Sequence, residues 1–185
     1  MSGMKIVKFN KENVEKEEIE RVVKKSRGIV INPEGKALLV QCAGFYMFPG
    51  GKIEGENPLQ ALRREVLEES GIKTIKFEEE PFLKIESYDR NYLDRRLDRK
   101  ITRLTETYFF YGTTDKPIQI QNQQLTQNEK EQHFQISFTN LSIAEYLAEN
   151  NTNANPKNEF YKRETCRALR EFAQYKREKE EELMK

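Results

Sequence analysis

The sequence predicts an α+β domain in which helices pack on a mixed β-sheet. Two observations carry that reading. Short runs of β-branched and aromatic residues, separated by turn signals, surround one well-delimited helical segment and are followed by further helical segments. The chain of 185 residues suits one domain with a helical extension, long enough to bury a core. No internal repeat is visible, and no apolar run approaches the length needed to span a bilayer.

The elements follow in order. Lys5 to Phe9 reads as a short strand, and the charge-rich stretch Lys11 to Lys25 as a helical arm or irregular lead-in. Gly28 to Asn32 and Lys36 to Cys42 form a strand pair around the turn signal Pro33-Glu34-Gly35. Tyr46-Met47-Phe48 leads into Pro49-Gly50-Gly51 and a glycine-bearing loop up to Glu56. The next segment is the best helix in the chain. Asn57 suits the N-cap, Pro58 the first helical position and Gln60 the capping-box partner, and Gly71 stops it. Two β-prone stretches, 75–88 and 101–113, flank a charged hairpin tip at 89–100. The Gln- and Asn-rich stretch 117–128 reads as a solvated loop, 132–138 as a strand, and Ser142 as the cap of a short helix through Glu149. Pro156 opens a long terminal helix in which 165, 168, 169 and 172 make an apolar stripe that docks on the domain or on a second copy. The expected divisions are 1–25, a strand and charged arm; 26–150, the main domain; and 151–185, a helical extension packed on it.

Bulk charge excludes little but says where not to look. Lys and Arg total 32 against 31 Asp and Glu, a net charge of +1, which gives no strong pull toward nucleic acid or an anionic membrane. Cys42 and Cys166 are isolated, so reduced thiols are expected rather than a zinc site or disulfide framework. A cytoplasmic protein, monomeric or homodimeric, is the expectation.

The chemistry lies on the Asn57–Gly71 segment. Glu65, Glu68 and Glu69 stand at i, i+3 and i+4 and share one helical arc. Leu59, Leu62 and Val66 occupy the adjoining arc and would pack on the sheet. Like charges at these spacings weaken a helix, and the macrodipole disfavours anions toward its C-terminal end. A hard cation held by carboxylate oxygens would offset both effects. Alone, such a face is more often an ordinary surface with Arg64 paired to Glu68. The glycine-rich loop leading into it reverses that judgement, because loop N–H groups can hold phosphate oxygens.

Gly50 to Ile72, GGKIEGENPLQALRREVLEESGI, resembles the Nudix box, G-x5-E-x7-R-E-U-x-E-E-x-G-U with U aliphatic. Gly50, Glu56, Arg64, Glu65, Val66, Glu68, Glu69, Gly71 and Ile72 fill its fixed places. The resemblance implies an α/β/α sandwich and a metal-dependent hydrolase that cuts a pyrophosphate bond in a nucleoside diphosphate linked to another group. It implies Mg²⁺, with Mn²⁺ as a substitute, and a small nucleotide-like substrate. Glu68 and Glu69 would be the main metal ligands. Glu65 would be a further ligand or the base that orients water, and Glu56 an outer or additional-metal ligand. Arg64 would clamp the glutamates. Gly50, Gly51, Lys52 and Tyr46 are the candidate substrate contacts, with Phe45, Tyr88, Tyr108, Phe110 and Phe134 as further aromatics near a base. An extra acid from outside the box is expected at Glu129 or Glu131, ahead of Glu106. His133 is expected at a surface or strand edge. Arg90, Arg95, Arg96, Arg99 and Arg103 form a basic concentration that could hold phosphate or approach RNA, and the preferred reading is a solvated tip balanced by Asp89, Asp94 and Asp98. The sequence departs from the family at two points. Gly51 lies five places before Glu56, so the loop fits through Gly50, and Gln41-Cys42 stands where relatives often carry a basic residue. The competing reading is a catalytically quiet nucleotide-binding or sensing module.

Overall fold

A computed structural model describes residues 3–184. The strands are β1 (Lys5–Phe9), β2 (Arg21–Ile31), β3 (Lys36–Cys42), β4 (Phe45–Met47), β5 (Gly50–Lys52), β6 (Lys76–Phe77), β7 (Leu83–Asp94), β8 (Arg99–Thr113) and β9 (Gln135–Asn140). The helices are α1 (Pro58–Ser70), α2 (Gln127–Glu131), α3 (Leu141–Glu149) and α4 (Asn158–Leu183). One mixed sheet runs in the order β1-β7-β8-β2-β3-β4, with β5 beside β2, β6 beside β8 and β9 beside β3. The pairs β1–β7 and β2–β8 are parallel, and the rest are antiparallel.

Both faces of this sheet are covered, which explains why its strands read as continuous apolar runs. Adjacent residues point to opposite faces. Val30, Leu38 and Phe110 pack with Leu62, Val66 and Ile72 under α1. Their neighbours Ile29, Leu39 and Phe109 pack with Ala144, Leu169 and Phe172 under α3 and α4. The result is an α/β/α sandwich. The stripe expected on the terminal helix, Thr165, Ala168, Leu169 and Phe172, is buried against its own sheet. No helix among the described residues is long and apolar enough to cross a membrane.

Several expectations change in extent. The strand expected at 28–32 begins at Arg21, because β2 pairs with β8 from Arg21↔Arg103 to Ile31↔Thr113 and that long ladder outweighs its charged sequence. The arm before it contains only a short 3-10 turn, Lys16–Glu18. Its acids pin the β7–β8 hairpin instead, with Glu18 pairing to Arg90 at 2.8 Å and Glu20 to Arg99 at 2.6 Å. β1 joins the same sheet, in parallel with β7. Helix α3 starts at Leu141 with Asn140 in the N-cap position, two residues ahead of Ser142. Both cysteines are free, Cys166 buried and Cys42 half-buried.

Candidate functional site

Helix α1 is capped as its sequence dictates. The Asn57 carboxamide accepts from the Gln60 N–H while the Gln60 side chain accepts from the Asn57 N–H, and Gly71 closes the helix in the left-handed region at φ 69°. The three C-terminal carbonyls that a helix leaves free are met from outside. Gln124 N–H donates to the Glu68 carbonyl at 2.8 Å, the Gln123 side chain to the Glu69 carbonyl at 2.6 Å, and Gln119 N–H to the Ser70 carbonyl at 2.9 Å. The stretch expected as a solvated loop is therefore a clamp on the acidic end of α1. Its composition hid this, because two of the three donors are backbone groups.

Arg64 stands among the acids. It donates to Glu56 at 2.7 Å and to Glu65 at 2.8 Å, and lies 3.6 Å from Glu68. That arrangement brings Glu56, Glu65 and Glu68 around one guanidinium. Glu69 is apart, buried, and accepts the Gly50 N–H at 3.0 Å. Gly51 faces the Glu65 carboxylate so closely that a Cβ there would collide with it. The hydrogen bond from Arg64 holds the Glu56 carboxyl below its usual range. Burial pushes Glu65 up against the pull of Arg64, and pushes Glu69 well up against Gly50 N–H and Arg27. The Glu129 charge raises both further, whereas Glu131 is engaged only with Gln127 on the exposed side of α2. Of the two expected extra acids, Glu129 is the one near the cluster. Glu106 is in a charge ladder across the sheet, 2.8 Å from Lys84.

Among the described residues no three acidic, His or Cys side chains converge closely enough to enclose an ion. The residue chemistry nonetheless fits a hard divalent cation. All the donors are oxygens, and the two carboxylates that burial disfavours as anions lie beside a turn with little side-chain bulk. Glu56, Glu65, Glu68 and Glu69 are the residues that would hold it.

The turn itself is moored by residues whose role the sequence hid. Arg27 donates to the Phe48 carbonyl at 2.6 Å and to Glu164 of α4 at 2.9 Å, and Glu164 also accepts from Thr107 at 2.7 Å. Arg27 is 4% exposed and Glu164 1%. The sequence offered little signal, because Arg27 is one of several cations ahead of the apolar run at 28–32 and Glu164 adjoins the stripe that starts at 165, 137 residues away.

Beyond Lys52, on the α4 face, opens a cleft of about 1170 Å³. Lys25, which faces Lys52 across the β2–β5 ladder, and Tyr161 line its inner part. The Lys25 ammonium sits over Phe160 at 5.1 Å and Tyr161 at 5.5 Å, and burial pushes its pKa down to about 8. Of the expected aromatics, Tyr88 lines the cleft. Tyr46 does not. It packs against the α4-side core and its carbonyl accepts from Thr165, because β4 runs beneath α4. Phe110 is core, Phe45 stacks on Tyr161, and Tyr108 faces Lys84 on the other side of the sheet. His133 is exposed, at a left-handed φ of 53°.

A family model described as a NUDIX domain matches residues 24–163. Similar solved structures include a binary complex of an Ap4A hydrolase from C. elegans, at 18% identity and TM-score 0.51, covering 83% of this chain and 96% of that one. A dihydroneopterin triphosphate pyrophosphohydrolase from E. coli is 18% identical with TM-score 0.48, covering 67% and 84%. A MutT protein from Methanosarcina mazei Go1 is 17% identical with TM-score 0.47, covering 82% and 95%. Likeness at these identities concerns the fold. No curated protein sequence matches the chain.

Proposed function

The chain belongs to the Nudix family of hydrolases, and from that premise we propose that it is a Mg²⁺-dependent pyrophosphohydrolase acting on a small nucleoside-diphosphate-like substrate. One observation carries the proposal. The Glu65 carboxylate rests on Gly51, with Lys52 next in the chain at the mouth of a cation-lined cleft, so a water-activating group and a phosphate-binding surface adjoin. The bound metal, Mg²⁺ or Mn²⁺, supplies neutralisation of phosphate charge and an acidified water. The protein supplies the rest. Lys52 and Lys25 hold phosphate oxygens, and Gly50 and Gly51 let the chain approach them closely. Glu68 and Glu69 would hold the metal, with Glu56 as an outer or additional-metal ligand, and Arg64 keeps the glutamates in register. Glu65, whose carboxyl burial has made more basic, takes the proton from the attacking water as its oxygen bonds to phosphorus and the bridging P–O bond breaks. Glu129 is the reserve acid. Two free thiols suit the cytoplasm, and the docking of α4 on its own sheet supports a monomer.

The test is a substrate panel with Mg²⁺ or Mn²⁺: sugar nucleotides, dinucleoside polyphosphates, oxidised nucleoside triphosphates, dinucleotides and capped RNA, read by phosphate release with and without a coupling phosphatase. Release from at least one compound is expected. Silence across the panel, with binding retained, would put the catalytically quiet nucleotide-binding module ahead.

Gly51→Ala is expected to separate chemistry from folding. Gly51 has no left-handed φ, so alanine suits the backbone, and the collision is with the movable end of Glu65. Displacing a reacting group by about 1 Å can cost on the order of a hundredfold in rate. Turnover should fall by about that factor while the urea midpoint shifts little.

A further inference from the structure

The outer part of the cleft holds two cations that pyrophosphate cleavage leaves without a task. Arg103 lies on β8, and its guanidinium stacks on Tyr92 at 3.4 Å from the ring centroid. Arg163, near the start of α4, stacks on Phe9 at 4.5 Å. Both line the cleft, and the Nε of each is buried with no hydrogen-bond partner. Neither makes an ion pair among the described residues. Arg21, beside them in the cleft, pairs with Asp94, and nearby Arg90 and Arg99 pair with Glu18 and Glu20. Arg95 and Arg96 also line the cleft without an ion pair among the described residues, but both are exposed to water, whereas Arg103 and Arg163 are partly buried.

The acids of the cleft are already committed. Asp94 takes Arg21 and the N–H groups of Arg96 and Leu97. Glu12 accepts from the Arg90 N–H, and Asp89 from the Asn91 N–H. Asp89 is opposite Arg103 in the β7–β8 ladder but forms no ion pair with it. Burial pushes both guanidinium groups down from their usual range. Stacking on a ring offsets part of the cost of holding such a charge, but it leaves the N–H fork unused. A guanidinium fork fits the paired oxygens of a phosphate or carboxylate.

We propose that Arg103 and Arg163 form a second anion subsite, which receives a phosphate or similar oxyanion that the substrate carries away from its phosphoanhydride. The position suits this. Arg103 faces Arg21 and Thr107 faces Lys25 in the β2–β8 ladder, so Arg103 lies four residues, roughly 13 Å, along the strands from the Lys25–Lys52 row. A substrate filling the cleft is anchored at both ends, by its anhydride at Lys25 and Lys52 and by its second anion at the stacked arginines. That specifies a class: pyrophosphate compounds bearing a further phosphate on the organic group. The identification of the inner anchor rests on the pyrophosphohydrolase reading.

The test compares molecules that differ by one such phosphate, NADPH with NADH and coenzyme A with dephospho-coenzyme A. Binding is measured by calorimetry in EDTA, so that it does not depend on turnover. One charge-assisted contact corresponds to about tenfold or more in affinity, and the phosphorylated member of at least one pair should exceed its partner by that factor. In Arg103→Met and in Arg163→Met, each with its melting temperature checked, that advantage should shrink to about twofold or less. Methionine keeps an apolar stem over the ring, and the two variants test the subsite independently if one fails to fold. Equal affinities within both pairs would overturn the proposal, as would a preference that survives both substitutions. Inorganic phosphate is titrated separately. Arg103-dependent phosphate binding without discrimination in either pair would mean a free-anion site and would overturn the substrate assignment. Preference retained without cleavage in Mg²⁺ would count against the hydrolase reading alone.

Discussion

Glu68→Gln is expected to lower Mg²⁺-dependent turnover by about a thousandfold, the equivalent of roughly 4 kcal/mol of transition-state stabilisation, while leaving the fold intact. The side chain is 35% exposed and its one close charged partner is Arg64 at 3.6 Å. Losing so exposed a pair costs little, and removing a like charge three residues from Glu65 returns a few tenths of a kcal/mol. The metal-free variant should therefore melt within about 2 °C of the parent. The parent should also gain about 2.7 kcal/mol of stability from Mg²⁺ at a hundred times its dissociation constant, and the variant much less at that concentration. Undiminished turnover, or an undiminished Mg²⁺ effect on melting, would remove Glu68 from the metal site.

The largest effect on stability is expected at Arg27. Arg27→Met leaves Glu164 buried with Thr107 as its remaining partner, and breaking a buried pair in this way costs about 3–5 kcal/mol. For a chain of this size that is a drop of about 10 °C in melting temperature, measurable by calorimetry. It also frees the Phe48 carbonyl, so the turn leading to Gly50 loosens and turnover falls with stability. The double variant Arg27→Met with Glu164→Leu removes the stranded charge and should recover at least half of the lost stability. It should not recover the turnover, because the Phe48 carbonyl still lacks its donor. A double variant no more stable than the single one would show that the pair is not what holds α4 to the sheet at this point.

The acidic end of α1 was legible because the rules that set it are local. Caps, helical spacing and the glycine stop all act within a few residues, and Asn57, Gln60 and Gly71 do what their positions imply. The cleft was not legible, because its walls come from β2, the β7–β8 hairpin and the first turns of α4. Period-two reasoning also fails along β7. The ladder passes from Asp89↔Arg103 to Tyr92↔Ile101, so one extra residue lies between them. That bulge turns Tyr92 onto the face of Arg103, where simple alternation would put Asn91. Glu18 and Glu20 read as excess charge in a loose arm, because their partners, Arg90 and Arg99, lie more than 70 residues away. Arg27 reads as one more cation ahead of an apolar run, and Glu164 as one more acid on a charged helix, until they are seen together.

The clamp on α1 has a consequence for how the molecule breathes. The N–H groups of Gln119 and Gln124 are held by carbonyls of Ser70 and Glu68, so neither can exchange with solvent deuterium unless the segment lifts from the helix. Their exchange rates thus report the opening of the helix end that carries Glu68 and Glu69. A ligand that draws those carboxylates together need never touch residues 119–124 to make their amides slow.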